Sequence, residues 1–168
     1  MNIVVNDANI LIDLVELELL VQFFELDFEF YTTDLVFEEL HEHQQDALSS
    51  YIDNGSLIVN EFSDEELIEI NLINAERPRL SQQDCSAFYQ ARELGATLLT
   101  SDNILRKFAN ENKVNVHGHL WVFDCMVSAE TLSPFDASEK LDELCNDVNP
   151  RLSLPQTECE NRKILWSS

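Results

Sequence analysis

The sequence predicts an α/β domain in which helices cover both faces of a parallel β-sheet. Short apolar runs alternate with stretches of helical spacing along the chain, the pattern of strand–helix–strand units. The 168 residues are 45% hydrophobic, which suits one domain (1–168) with a sizeable core. Only 3 Gly and 4 Pro are present, which argues against long loops or a flexible linker.

The elements follow in order. Ile3 to Asn6 is a short apolar strand, and Ile10, Leu11, Leu14, Val15 and Leu19 then recur at helical spacing. Phe28 to Thr32 is aromatic and β-prone. Thr33 to His43 reads as a helix, and Gln44 to Asn54 as a second helical piece closed by Asn54-Gly55. Ser56 to Asn60 is a strand. Ser63-Asp-Glu-Glu66 is a capping box that opens a helix with Leu67, Ile70 and Ile73 inward. Ser81 to Leu94 is a helix ended by Gly95, Ala96 to Thr100 a buried strand, and Ser101 to Asn112 a helix. Val114 to Val116 is a short strand and Asp136 to Asn146 a helix, with a less regular tail from about residue 148. The aromatic run Phe23, Phe24, Phe28, Phe30 and Tyr31 reads as core, with a homodimer face as the alternative.

Several function classes fall away. No stretch of about 18 apolar residues is available to span a membrane. The start, Met1-Asn2-Ile3-Val4-Val5, lacks the basic leader of a signal peptide. Cys85, Cys125, Cys145 and Cys159 are far apart with no C-x-x-C, which suits reduced thiols in a cytoplasmic protein. Phosphate-cradling glycine loops and the serine-hydrolase elbow are absent. His41-x-His43 and His117-x-His119 lack partners at zinc spacing and read as surface or turn histidines.

Charge is unevenly spread over a chain of net −22. Before Arg77 there are 19 of the 32 acids and no Lys or Arg; the other 13 acids share the remainder with all 10 bases. A nucleic acid would therefore approach through the second half, and a basic partner through the first.

Four acids stand out by position. Asp7 follows the first strand, and Asp102 lies just beyond the strand Ala96–Thr100 at the mouth of a helix. In parallel sheets the carboxyl ends of the strands share one edge, where sites form. Asp84 opens a helix, with Phe88 and Ala91 at i+4 and i+7 on its core-facing side. On a helix starting near Leu35, the apolar arc centres about 100° from that residue; Glu39 falls at about 40°, inside it, and Glu38 near 300°, outside it. Each acid also has an ordinary explanation: Asp7 as an N-cap, Asp84 in a capping box, Asp102 complementing a helix dipole, Glu39 with a local partner. Yet two carboxylates about 5 Å apart repel by roughly 3 kcal/mol at an effective dielectric of about 20. Several facing one crevice call for a cation, and hard ions such as Mg²⁺ or Mn²⁺ take carboxylate oxygens.

The same residues resemble motifs of the PIN-domain family, most closely its small ribonuclease toxins of toxin–antitoxin pairs. Val4-Val5-Asn6-Asp7-Ala8-Asn9 is similar to the opening strand with its first acid. Thr33-Asp-Leu-Val-Phe-Glu-Glu39-Leu40 resembles the second motif, Leu80-Ser81-Gln-Gln-Asp84 the third, and Leu99-Thr100-Ser101-Asp102 with Leu105, Arg106 and Ala109 the fourth. Val116-His-Gly118-His-Leu120 resembles a glycine-containing turn of many members, departing at Trp121 where a second Gly is common.

That resemblance implies a three-layer α/β/α fold and metal-dependent hydrolysis of single-stranded RNA or tRNA. Asp7, Asp84 and Asp102 would hold one or two Mg²⁺ or Mn²⁺ ions, and Glu39 a second ion or the attacking water. Asn9, Thr100 and Ser101 are candidates to hydrogen-bond the carboxylates. Arg106 and Lys107, then Arg77 and Arg79, are candidate phosphate contacts. A basic antitoxin-like protein is the implied partner. Two other readings stand beside this one: an idle PIN-like protein whose acidic half captures a basic partner, and a Mg²⁺ phosphatase using Asp7 as nucleophile.

Overall fold

A computed structural model describes residues 2–168. Among them the sheet comprises β1 (Asn2–Asn6), β2 (Phe28–Thr33), β3 (Leu57–Asn60), β4 (Thr97–Leu99) and β5 (Val116–His117), all parallel, in the order β3-β2-β1-β4-β5. The chain builds outward from β1 to β2 and β3, then crosses back to lay β4 and β5 on the other side. The strand order therefore reverses between β1 and β4, where Val5 pairs with Leu98 and Asn6 with Leu99. A crevice opens at such a reversal, beyond the carboxyl ends of the strands.

Two helical layers cover the sheet, giving the three-layer α/β/α arrangement. On one side α6 (Gln82–Leu94) packs across β1, β2 and β4, with α3 (Asp34–Glu38), α5 (Asp64–Glu76) and α7 (Asn103–Glu111) as neighbours. Elsewhere α1 (Ala8–Glu16) packs with α2 (Leu20–Phe24) and α4 (Glu42–Asp53). Then α8 (His119–Ser128) joins α2 and carries α9 (Pro134–Glu143) and α10 (Gln156–Ser167). One continuous apolar cluster runs through both layers, with Leu11, Val5, Leu98, Leu99 and Ala91 fully buried. Phe23 and Phe30 sit inside it with ring centroids 4.8 Å apart, so the aromatic run is core at these two positions.

The boundaries that differ from the sequence pattern have local causes. The apolar spacing from Ile10 to Leu19 is split, because Glu18 takes a left-handed turn at φ 58°. In an unbroken helix Leu17 and Leu19 would point about 200° apart; with the break both are buried at 1% exposure. The helix expected over Thr33–His43 ends at Glu38, with Glu39 as its C-cap. The Gln45 amide donates to the carbonyls of Phe37 (3.0 Å) and Leu40 (3.2 Å), which satisfies the helix end and lets His41 turn extended. The last strand lies at Val116–His117 rather than Val114–Val116, and Asp136–Asn146 is replaced by α9 and a single π-turn at Leu144–Val148.

The tail from residue 148 is ordered. It forms a short 3₁₀ turn and then α10, which docks through Cys159 and Trp166. The Trp166 indole N–H donates to Asp124 (2.9 Å), and Arg162 binds the other oxygen of that carboxylate (3.2 Å). The four cysteines are free thiols, and no described helix is long and apolar enough to cross a membrane.

Candidate active site

The carboxyl ends of the paired strands β1 and β4 bring Asp7 and Asp102 to one edge of the sheet. Asp7 directly follows β1, and its Oδ1 caps α1 by accepting from the Ala8 N–H at 2.9 Å. Its Oδ2 accepts from the Thr100 hydroxyl at 2.7 Å and from the Asn9 amide at 3.4 Å. Thr100 follows β4, so this bond joins the two strands at their point of reversal. The Thr100 hydroxyl also accepts from the Asp102 N–H (3.1 Å), and Asn9 accepts from the Ser101 N–H (3.2 Å). Asp102 caps α7 through the Leu105 N–H at 2.8 Å. Thr100 and Asn9 thus hold the acids as expected, whereas Ser101 takes part through its main chain.

Asp84 comes from the other direction, as the third residue of α6 in a capping box with Ser81 (3.0 Å each way). The capping expected of Asp7 and Asp84 is present, Asp102 goes beyond its expected dipole role by capping α7, and each cap fixes a carboxylate at a helix start. Ser86, on the same helix, exchanges a 2.8 Å hydrogen bond with Thr33, the N-cap of α3. This buried pair ties α6 to the element that ends in Glu39, a link with no periodic signal in the sequence. Glu39 itself is exposed at the rim rather than turned into the core. The helical wheel oriented it by assuming a helix that in fact stops one residue earlier.

The electrostatics show which acids face one another. Burial pushes the Asp7 carboxyl up to about 7, opposed by the Thr100 and Ala8 bonds and raised further by the charges of Asp84 and Glu39. Asp84 is raised first by burial and then by Asp102, against the pull of Ser81. Glu39 is raised by partial burial and by Asp84. Asp84 is therefore the hub, coupled to each of the other three. Among the described residues no three His, Cys, Asp or Glu side chains close into a ready-made metal cage. The donor set is nonetheless oxygen-only and mutually repelling, with one carboxylate held in a dry position without a basic partner. That chemistry fits a hard divalent ion that keeps part of its water shell.

The basic candidates fall on two sides of α7. Arg77, Arg79 and Lys107 border a groove of about 660 Å³ floored by Ile104 and Phe108, with the Arg77 guanidinium 5.5 Å from the Phe108 ring centre. Arg106 points to the opposite side, where a groove of about 570 Å³ is walled by Ser101, His117, Gly118 and Arg162. Asn103 touches both grooves.

His41 and His43 are exposed, in accord with the sequence expectation. His119 departs from it. It is 4% exposed and its Nε2 lies 2.8 Å from Asp13, whose same oxygen accepts from Asn149 at 3.0 Å. A pairing across 106 positions leaves no local mark in the sequence.

A family model described as a PIN domain matches residues 3–158 of the chain, a span that contains all four acids. A comparison with curated proteins gives no match.

Asp7 makes the folded protein pH-sensitive in a direction that can be worked out. Its carboxyl rises from 3.8 unfolded to about 7 folded, so the folded state holds this proton more tightly. Stability is lost as pH climbs from about 4 to 7 and stays low above it. At roughly 1.4 kcal/mol per unit the cost is on the order of 4 kcal/mol. Asp7→Asn should therefore stabilise the metal-free protein above pH 7, with the gain shrinking toward pH 4. Urea denaturation of both proteins across that range checks it; a variant less stable at every pH would contradict the assignment.

Proposed function

Because this chain belongs to the PIN-domain family, whose members are generally nucleases and usually use divalent metals, we propose that it is a Mg²⁺- or Mn²⁺-dependent endoribonuclease acting on single-stranded RNA. The observation that carries the reading is the bridge of Thr100 between the Asp7 carboxylate and the Asp102 main chain at the reversal of the sheet, with Asp7, Asp84 and Asp102 each fixed at a helix start. Asp7, Asp84 and Asp102 are the residues that would hold the ion, directly or through water. An ion there supplies Lewis-acid stabilisation of charge on the phosphoryl oxygens and leaving group.

The chain's own groups do the remainder. Thr100 and Asn9 fix the Asp7 carboxylate so that it needs no reorganisation when substrate arrives. Glu39 stands at the rim with a carboxyl raised first by partial burial and then by the Asp84 charge. It is placed to take a proton from the attacking water, and a raised pKa makes it a better base near neutral pH. Half-buried Asp84 keeps the acids facing one another through its cap on Ser81. The phosphate backbone enters from α7, since the acidic first half repels it.

The toxin role belongs to the same proposal. With no Lys or Arg before Arg77, that half of the surface suits an inhibitor carrying a basic segment. Its attraction would speed encounter and fade as salt screens it beyond about 8–10 Å.

Two measurements follow. Purified protein should cut single-stranded RNA with Mg²⁺ or Mn²⁺ and stop with chelator. Asp84→Asn and Asp102→Asn should be folded but inactive, Glu39→Gln about a hundredfold slower or more, and Glu38→Gln close to the parent. Undiminished cleavage by both Asp variants would rule out the site. For the partner, the association rate of a basic protein encoded beside this one should fall steeply between low and physiological salt in stopped flow. A rate indifferent to salt would reduce the acidic half to a solubility feature.

A further inference from the structure

The groove beyond α7 holds an uncompensated positive charge. The Arg106 guanidinium lies over Gly118, the N-cap of α8: a Cβ on that glycine would meet the Arg106 Nη1 at 2.3 Å. Gly118 is extended (φ −118°), a backbone any residue adopts, and its close neighbour is the far end of the flexible Arg106 side chain, which the missing Cβ lets rest directly over the helix end. Arg106 also donates weakly to the Thr100 carbonyl at 3.4 Å. This puts a permanent cation at the positive end of a ten-residue helix whose first turn has neither an acid nor a capping side chain. Two positive ends facing each other repel, and in a chain of 32 acids a neutralising carboxylate would be easy to supply. None of the described residues supplies one to Arg106 within 4.0 Å.

The rest of the wall agrees. Its one acid, Glu158, is bound to Arg162 at 2.6 Å, and Arg162 also reaches Asp124. His117 is held below the usual histidine range, first by burial and then by the nearby Arg106 charge. His119, itself part of the wall, is 4% exposed, and its Nδ1 is buried without a partner. A polar, cation-bearing recess of about 570 Å³ thus opens at the sheet edge, with Ser101 and Asn103 separating it from Asp102 only by their own places in the chain.

We propose that Arg106, the first turn of α8 and Gly118 form a phosphate seat, which holds a phosphodiester of the strand next to the one facing the acids. Anion binding here stands on the geometry alone; that the phosphate belongs to a nucleic-acid strand rests on the nuclease reading. The helix N–H groups and the guanidinium share one anion and relieve their mutual repulsion, which neither does alone. The glycine is part of the device, because a Cβ there would shift the Arg106 Nη1 from its present place over the helix end.

The test uses the whole chain with chelator present, so that binding is read apart from cleavage. Inorganic phosphate, a 5′-phosphorylated mononucleotide and a short 5′-hydroxyl oligoribonucleotide are titrated while the amide resonances of His119, Leu120 and Trp121 are followed. The proposal expects all three probes to move these resonances, with the oligomer binding most tightly. Arg106→Gln and Gly118→Ala should each weaken the oligomer roughly tenfold, and Lys113→Gln, an exposed charge elsewhere, should not. A response to the terminal monophosphate alone would assign the seat to strand ends rather than to internal phosphodiesters and overturn the proposal as stated. Shifts confined to other residues, or equal affinity in Arg106→Gln, would overturn it outright. An oligomer that binds through these residues yet is never cut with metal would keep the seat and sink the nuclease reading; cutting with unaltered affinity in both variants would do the reverse.

Discussion

The structure turns on the hydrogen bond from the Thr100 hydroxyl to the Asp7 carboxylate at 2.7 Å. It closes the gap between β1 and β4, where the strand order reverses and the main-chain ladder ends. The same hydroxyl accepts from the Asp102 N–H, so one threonine ties the Asp7 carboxylate to the main chain that carries Asp102. Asp7 is almost fully buried, and its only close partners are this hydroxyl, one backbone N–H and the longer bond from Asn9. Those neutral donors partly offset the loss of water and leave the carboxyl raised to about 7. A charge kept dry without a basic partner costs stability, and the fold accepts that cost where β1 ends, next to the β4 end that is followed by Asp102.

How much of this the sequence revealed depends on the range of the interaction concerned. The parallel α/β architecture, and Asp7, Asp84 and Asp102 at strand ends and helix starts, were legible because caps and apolar periodicity are local. The same signals placed α5 and α6 with their capping boxes at Ser63 and Ser81. The exposure of Glu39 was not legible: its helix ends through the side chain of Gln45, and no wheel drawn on 33–43 contains that contact. The buried His119–Asp13 pair and the Ser86–Thr33 bond span 106 and 53 positions and leave no periodic trace. The tail looked irregular because α10 docks through few apolar anchors, Cys159 and Trp166, while Arg162 and the indole N–H converge on Asp124 from another helix. In each case what the sequence hid was a side-chain polar contact outside the helical and strand periodicities, from the local Gln45 cap to the distant His119–Asp13 pair.

The charge distribution gives the fold a direction. Acids fill the part of the chain that builds β1 to β3 and α5, whereas bases begin at Arg77, just before the helix that carries Asp84. Five of those bases line the two grooves that flank α7. The segment Thr100–Lys107 therefore does three jobs at once: it ends a strand, caps a helix with an acid, and turns one cation to each side of that helix.

The most direct test of this account is the proton balance of metal binding. Mn²⁺ titrated at about pH 6.5 into weakly buffered, metal-free protein should displace roughly three-quarters of a proton per ion from Asp7 alone, since ligation needs the ionised carboxylate. The release should shrink as the pH is taken above 8, where Asp7 is already ionised. Asp7→Asn should lose the Asp7 share while keeping a folded spectrum. Binding without proton release, or a release unchanged in that variant, would contradict the claim that these acids are held together to receive a cation.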